Sequence, residues 1–362
     1  MLVLAIEVLV WVIVGLAVIV AAAFVAGRWF FVEQLPDEVH YARTDDGWRI
    51  AIMRYRPEAP NGREPVLVCH GIAANAAGVD LTDELSVPRT LARAGWDAWL
   101  VELRGRGQST QPRLFSEKDW DWSFDEYVER DAPAAIATVL RATGRETLHW
   151  VGFSLGAIVG YGVLMDPALA PKIARAVAIA GPASYRMQRE YIFHTAVRNL
   201  RWLRHAFLSR LFAPLSGFVR TNLLVHDHDN VPATVMRRYH VNASANFARN
   251  EMLQYSDWLE HDVFRSIDQR RDYRAGLAKI VAPTLFIAGN KDLLAPPPAV
   301  KDAHDAAGSA EKKFVIASRG QSFAVHYGHL DLVLGRSAPK EIYPLIEGWL
   351  AARAGEPVKD SN

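Results

Sequence analysis

Residues 148–164 read LHWVGFSLGAIVGYGVL, and this stretch is the most informative indication of the fold. Its first five residues form a short apolar run typical of a buried strand, and residues 157–164 have the composition of an apolar helix. Between them lies Gly152-Phe153-Ser154-Leu155-Gly156, a Gly-x-Ser-x-Gly pattern. Strand, pentapeptide and helix together predict a tight turn that presents the Ser154 hydroxyl at the carboxyl end of a strand. The amino terminus of the following helix would favour negative charge beside that hydroxyl.

On both sides of this stretch, short β-branched apolar runs alternate with longer helical patterns, which predicts a mostly parallel, doubly wound α/β sheet. The predicted strands are residues 48–55, 65–69, 98–102, 148–152, 176–180, 284–288 and 313–317. The predicted helices are residues 87–94, 128–143, 157–164 and 338–352. Residues 35–46 are predicted to be a polar connector.

Residues 184–277 interrupt the alternation, because apolar side chains recur there at helical spacing and no strand pattern is evident. We interpret this region as a helical insertion, or cap, between two strands. Seven arginines and a single acid, Glu190, fall between positions 186 and 220, which predicts a basic amphipathic face; the arginines are at 186, 189, 198, 201, 204, 210 and 220. The predicted domains are therefore an anchor (1–30), a core in two parts (31–183 and 278–352), the cap (184–277) and a tail (353–362).

A serine hydroxyl needs a base to accept its proton and an acid to orient that base, here expected in the order Ser, acid, His. Asp292 directly follows the predicted strand 284–288, and His329 follows the last predicted strand. We therefore predict Ser154, Asp292 and His329 as nucleophile, acid and base. His326 stays open as an alternative base and Asp331 as an alternative acid.

The anionic intermediate of acyl transfer also needs hydrogen-bond donors. The amide that follows the nucleophile, Leu155, is one candidate, and the Ile72 amide in the loop after strand 65–69 is the second. His70 in the same loop is interpreted as a loop-shaping side chain. Cys69 is expected to be buried and inert.

The amino-terminal region carries a membrane signal. Residues 8–27 contain no charged, amide or hydroxyl side chain, and twenty helical residues span roughly the 30 Å of a bilayer core. We predict a transmembrane anchor rather than a cleaved signal peptide, because the residues before the run include Glu7 and no lysine or arginine. Arg28, Arg43 and Arg49 on the carboxyl-terminal side place the remainder of the chain in the cytoplasm by the positive-inside rule.

Composition excludes several other classes. Lys and Arg number 41 against 40 Asp and Glu, a net charge of +1 that offers no global footprint for nucleic acid. The single cysteine excludes an intramolecular disulfide and a cysteine-based zinc site. Four consecutive residues, His226-Asp227-His228-Asp229, cannot all face one ion and are interpreted as a polar loop. No phosphate-binding or dinucleotide fingerprint is found, so we expect neither a cofactor nor a metal.

Four stretches resemble the α/β-hydrolase superfamily, in particular its serine esterases and lipases of the acid lipase branch. They are CHGIAANAAGVDL (69–81), GWDAWLVELRGRGQS (95–109), SFDEYVERDAPAAIATVLRATGRETLHWVGFSLG (123–156) and YGHLDLVLG (327–335). The resemblance covers residues 65–335 apart from the insertion, and it implies an α/β-hydrolase fold with Ser154, Asp292 and His329 as triad and Ile72 and Leu155 at the oxyanion hole. Phe153 stands where many of these lipases have histidine, and the insertion matches no lid known from the family.

The sequence thus predicts a membrane-anchored serine hydrolase that cleaves carboxylic esters, with a lipid-like or apolar acyl substrate. Its expected partners are this small-molecule or lipid ester and the membrane, through the amino-terminal helix and the basic cap. Two alternatives stay open: an acyltransferase with the same triad, and a membrane-tethered binding protein of the same fold without catalysis.

Overall fold

The computed structural model describes residues 2–112, 120–188, 194–200, 205–216, 226–227 and 229–352. Its centre is an eight-stranded sheet with the order β1-β2-β4-β3-β5-β6-β7-β8. Strands β1 and β2 and strands β2 and β4 pair antiparallel, and every other neighbouring pair is parallel. The strands are β1 Glu38–Arg43, β2 Arg49–Tyr55, β3 Val66–Cys69, β4 Ala98–Glu102, β5 Leu148–Phe153, β6 Ile173–Ile179, β7 Thr284–Gly289 and β8 Lys312–Ala317.

Helices cover both faces of the sheet. They are α1 Leu2–Arg28, α2 Val87–Arg93, α3 Phe124–Glu126, α4 Ala132–Thr143, α5 Leu155–Met165, α6 His194–Asn199, α7 His205–Phe212, α8 Ala233–Asn242, α9 Arg249–His261, α10 Tyr273–Gly276, α11 Pro297–Ala306, α12 Asp331–Leu334, α13 Ala338–Glu341 and α14 Tyr343–Ala351. Helices α4 and α5 contact each other, as do α2 and α14. Strands β3, β4, β5 and β7 are buried along their whole length, as expected where helices pack on both faces. The predicted fold class is confirmed.

The structure adds one strand that the sequence pattern conceals. Strand β1 occupies part of the region that we predicted to be a polar connector, and it pairs only with β2 at the edge of the sheet. An edge strand with one covered face needs no continuous apolar run, so its sequence, EVHYAR, lacks the signal that marked the inner strands. Strand β6 begins at Ile173 rather than at the predicted 176. The apolar pattern missed this start because the strand includes a charged residue, Arg175, which is buried and ion-paired with Glu311.

Two predicted helices differ in detail. The helix predicted over 128–143 is α4, which begins at Ala132 after a π-helical turn. The helix predicted over 338–352 is interrupted at Ile342 and continues as α14. Pro344 lies at the second position of α14, where its ring occupies the space that the preceding turn would need, which explains the break. Helix α11 follows β7 and was not predicted.

Between β6 and β7 the described residues form helices α6 to α10 and contain no named strand. The helical character predicted for residues 184–277 therefore agrees with the described part of this region. The division of the chain into domains stays a prediction. Of the seven arginines counted there, those at 189, 201, 204 and 220 lie outside the described residues, as do Glu190, His228 and the predicted tail from 353 onward.

Helix α1 contains the whole predicted membrane segment. The most apolar 18-residue window within residues 6–28 has a mean hydropathy of 3.0, and most side chains of residues 6–28 are exposed. A helix of this length and composition fits either an anchor or a signal sequence. Its carboxyl-terminal end contacts α7 and α8 of the insertion, where Gly27 is buried.

Candidate active site

Ser154 lies in the sharp turn between β5 and α5. Its backbone angles are φ 54° and ψ −114°, a left-handed conformation that costs free energy for a residue with a side chain. A Cβ atom on Gly152 would lie 2.2 Å from the carbonyl oxygen of Gly156, and one on Gly156 would lie 2.2 Å from that of Cys69. The turn is therefore accessible only with glycine on both sides of the serine, as the Gly-x-Ser-x-Gly pattern predicts.

Loops after two strands bring an acid and an imidazole to this serine. Asp292 follows β7, and its Oδ2 accepts a hydrogen bond of 2.7 Å from Nδ1 of His329, since a carboxylate offers only acceptors. The other imidazole nitrogen, Nε2, lies 2.9 Å from Ser154 Oγ and accepts a hydrogen bond from this hydroxyl. The second carboxylate oxygen, Oδ1, accepts from the amides of Leu294 and Ala295, both at 2.8 Å. The three side chains therefore form one continuous hydrogen-bonded chain. All three are buried, which shields this chain from water.

The ring of Phe153 helps to position the imidazole. It lies 5.0 Å from the His329 ring, centroid to centroid, with an interplanar angle of 44°. A Cβ atom on Gly71 would be 3.3 Å from both this ring and Ser154 Cβ, so the loop after β3 also packs against the serine. The aromatic residue noted in the motif is thus part of the wall around the imidazole.

The two alternatives left open by the sequence lie elsewhere. His326 Nδ1 is 2.9 Å from Asn290 Nδ2, and the imidazole is occupied by that amide rather than by the serine. Asp331 Oδ2 accepts a hydrogen bond of 3.0 Å from the backbone amide of Asp227. Burial raises the pKa of Asp331 to about 7. Proximity therefore favours His329 and Asp292 as the partners of Ser154.

The two amides predicted to bind the oxyanion belong to backbone segments next to the serine. Leu155 is the first residue of α5, so its N–H has no acceptor within the helix. Ile72 is in the turn that follows Gly71, where the next residue, Ala73, has a positive φ of 51°. Their role as oxyanion donors stays a prediction.

A family model described as alpha/beta hydrolase fold matches residues 64–327. The chain belongs to this family. It is 25% identical to gastric triacylglycerol lipase of Mus musculus, over 87% of this chain and 89% of that protein. It is 23% identical to lysosomal acid lipase/cholesteryl ester hydrolase of Homo sapiens, over 85% of this chain and 86% of that protein. The resemblance to acid lipases is thereby confirmed.

A solved structure titled as a membrane phospholipase A and bacterial virulence factor has the same fold. Its TM-score is 0.53 at 18% sequence identity, and the match covers 96% of this chain and 97% of that one. The matched part of this α/β hydrolase includes part of α1.

In this α/β hydrolase, two further side chains shape the loops around the serine. His70 is buried, donates from Nδ1 to the Gly71 carbonyl (2.8 Å) and accepts at Nε2 from the Leu103 amide (3.3 Å). Burial lowers the pKa of His70 to about 4, so the ring is neutral, in agreement with its predicted loop-shaping role. Cys69 is also buried, and burial raises the pKa of its thiol, which keeps the sulfur protonated and unreactive.

Glu102 is a supporting residue that the sequence analysis missed. It ends β4, is buried, and accepts hydrogen bonds from the amides of Ala76 (3.1 Å) and Gln108. Burial raises the pKa of this carboxyl. It joins the segment after the Ile72 turn to the loop after β4. An acid at the end of an otherwise apolar strand was the available signal.

Within the described residues, no group of three or more His, Cys, Asp or Glu side chains is arranged to hold a metal ion. Asp227 donates its amide to Asp331 and pairs through its carboxylate with Lys291 at 2.5 Å. The described part of the 226–229 segment is a loop, as predicted.

Proposed function

We propose that this α/β hydrolase is a serine hydrolase that cleaves carboxylic esters with apolar acyl chains through an acyl-enzyme on Ser154. The observation that carries the proposal is the buried hydrogen-bonded chain from Ser154 through His329 to Asp292. The lipases among its relatives support the same class of enzyme.

The geometry suits a two-step acyl transfer. Ser154 Oγ attacks the ester carbonyl while its proton moves to Nε2 of His329, and Asp292 holds the imidazole in the tautomer that accepts this proton. The amides of Leu155 and Ile72 donate to the oxyanion. Collapse of the tetrahedral intermediate breaks the bond to the alcohol, which leaves with the proton from His329. Water then attacks the acyl-enzyme by the same steps and releases the acid.

The insertion supports an apolar acyl site above the serine. Its residue Ala245 donates a backbone hydrogen bond of 2.8 Å to Ala73, and Ser244 forms a bridge with Ala74. The cap therefore contacts the turn that carries the Ile72 amide. Sites of open α/β sheets lie beyond the carboxyl ends of the strands, which is where this contact is made.

The test is covalent labelling with a fluorophosphonate probe. We expect the full chain to be labelled and Ser154→Ala to be unlabelled and inactive on aryl esters of medium acyl chains. Ser318→Ala, which removes a hydroxyl that donates to the Arg319 carbonyl, is the matched control and should behave as the unaltered chain. Absence of labelling in the unaltered chain would contradict the proposal and favour the non-catalytic binding protein. Transfer of the acyl group to an added alcohol in preference to water would identify an acyltransferase instead.

We further propose that α1 anchors the protein in a membrane and that the cap touches the lipid surface beside it. Phe207 (52% exposed), Phe212 (55%) and Leu215 (55%) lie on α7 and the turn after it, next to α1. Large apolar side chains exposed beside an apolar helix fit the interfacial layer of a bilayer. Arg210 belongs to the same helix, and cations near an anionic surface contribute roughly 1 kcal/mol each. The cytoplasmic position of the catalytic part stays a prediction.

A chain that begins at Phe31 separates the two membrane contacts. We expect the full chain to stay in the membrane at any salt concentration, because apolar burial is not screened, whereas the shortened chain should bind anionic vesicles with an affinity that falls as salt rises. Vesicles of neutral lipid are the control. If the shortened chain shows no salt-sensitive binding, the cap does not contact anionic lipid; if the full chain is released by salt, α1 is not an anchor.

A further inference from the structure

A cavity of about 680 Å³ lies where the end of α1 meets the catalytic domain. Its walls come from the last turns of α1, from the segment 31–34, from the loops around Ala77 and Gln108, and from α7 and α8. We call it the junction cavity. None of Ser154, Asp292 and His329 lines it, so it is separate from the candidate active site.

Hydrogen bonds hold the walls of the junction cavity in place. Asn242 of α8 accepts from the Val32 amide at 3.0 Å and donates to the Phe30 carbonyl at 2.9 Å. Gln34 donates to the carbonyl oxygen of Asp80 at 2.9 Å. The chain leaving α1 is thus attached both to the insertion and to the core, and the cavity between them is a built feature rather than a gap beside a loose helix.

The lining has two chemical parts. Ala23 and Phe24 of α1 provide an apolar wall within the proposed membrane segment. Arg28 at the end of α1 and Arg210 of α7 provide two guanidinium groups, and neither is in an ion pair with any carboxylate of the described residues. Two carboxylates also border the cavity: Glu33 is exposed to solvent, and both carboxylate oxygens of Glu102 already accept backbone amides.

We propose that the junction cavity binds a glycerophospholipid of the membrane in which α1 lies. The phosphodiester would be bound by Arg28 and Arg210, because guanidinium groups suit phosphate oxygens, and one acyl chain would lie along Ala23 and Phe24. A cavity of this size is within the range of small-molecule sites and accepts the headgroup with the upper part of a chain, the remainder lying in the bilayer. This inference rests on the proposed anchor but not on the proposed hydrolysis.

The consequence is a lipid that is held and not cleaved. It would fill the space between the anchor and the domain and so fix how the domain sits on the membrane. Because Asn75 and Ala77 of the cavity wall follow the turn that carries Ile72, the bound lipid would also brace the loop beside the serine.

The test measures phospholipid bound to the full chain by native mass spectrometry after release from detergent micelles. We expect one phosphatidylglycerol per chain, and no binding of a diacylglycerol with the same acyl chains, which lacks the phosphate. Arg28→Gln with Arg210→Gln should weaken binding about 30-fold. Arg43→Gln with Arg319→Gln is the matched control and should bind normally, because it removes the same charge from exposed arginines that pair with no carboxylate of the described residues.

A second variant tests the location without changing charge. Ala23→Trp keeps both arginines and fills the apolar part of the cavity, so it should also lose the lipid. Ser154→Ala should bind the lipid normally, and an unchanged circular dichroism spectrum and melting temperature of the arginine variant would show that it is folded. The proposal would be overturned if diacylglycerol bound equally well or if inorganic phosphate alone displaced the lipid. It would also be overturned if Ser154→Ala lost the lipid or if either cavity variant bound it normally.

Discussion

At the scale of single residues, Asp292 shows how much of the candidate site depends on one carboxylate. One of its oxygens is held by two backbone amides and the other by the imidazole of His329. The carboxylate is therefore held in one orientation, and in the proposed mechanism it would stabilise the imidazolium that forms when Ser154 loses its proton.

We expect Asp292→Asn to lower kcat by about 10⁴-fold with little change in KM, since an amide can donate to Nδ1 and favour the wrong imidazole tautomer. Steady-state hydrolysis of an aryl ester measures both constants. Asp305→Asn, on the exposed face of α11, is the matched control and should leave them unchanged. A loss below tenfold would show that another group orients His329.

Two neighbouring histidines, His326 and His329, show what a local sequence pattern cannot predict. His326 and His329 lie in the same loop with the same chemistry, so the sequence left His326 open as an alternative base. The structure places Asn290 against His326 and Ser154 against His329. Contacts of this kind are made by residues far apart in the chain, and no local pattern reports them.

At the scale of elements, the start of α12 carries a buried acid. Asp331 is the first residue of this helix, and burial raises its pKa from the ordinary value near 4 to about 7. The folded protein therefore keeps a proton on this carboxyl in a pH range in which the unfolded chain has lost it. The free energy of unfolding that this protonated carboxyl contributes is therefore fully present below pH 4 and is lost as the pH rises towards 7.

Asp331→Asn removes that titration. Between pH 4 and 7 we expect the free energy of unfolding of the variant to fall less steeply than that of the unaltered chain, by up to about 1.4 kcal/mol per pH unit. Denaturant unfolding of the full chain in detergent at several pH values measures this. Asp83→Asn alters an exposed carboxyl and should reproduce the unaltered profile. Parallel profiles for Asp331→Asn and the unaltered chain would mean that the carboxyl is ionised when folded.

The elements themselves were predictable to different degrees. Strands buried on both faces, such as β4 and β7, are continuous apolar runs and were predicted closely, because burial on two sides restricts every position. The edge strand β1 was missed because only a neighbour, β2, makes it a strand. The break between α13 and α14 is caused locally by Pro344. We predicted one continuous helix there because the residues on both sides have helical composition and spacing.

At the scale of the whole molecule, one buried network joins the insertion to the core. Arg106, in the loop after β4, lies 3.0 Å from Glu251 of α9, and both are almost fully buried. Tyr127 donates its hydroxyl proton to Glu251 at 2.9 Å and accepts from the Trp122 indole at 2.6 Å. We expect this pair to hold α9 against the loop after β4.

Removing one partner should be costly because the other charge stays buried. We expect Glu251→Leu and Arg106→Met each to reduce the free energy of unfolding by about 3–5 kcal/mol, and the double variant to lose much less than the sum. Denaturant unfolding of the full chain measures the cycle. Asp257→Asn, which breaks the more exposed pair with Arg265 inside the insertion, should cost less than about 1 kcal/mol. Additive effects would show that the pair does not hold the cap.

The fold class, the turn around Ser154 and the chemistry expected there were predictable from the sequence, because apolar periodicity and the steric demands of glycine act over a few residues. Tertiary contacts were needed to show which histidine meets the serine, where the insertion contacts the core and that a cavity lies at the end of α1. Ser154 and His329 are separated by 175 positions, and Asp292 and His329 by 37. Residues so far apart in the sequence are brought together by the packing of the whole sheet, which depends on all the strands at once.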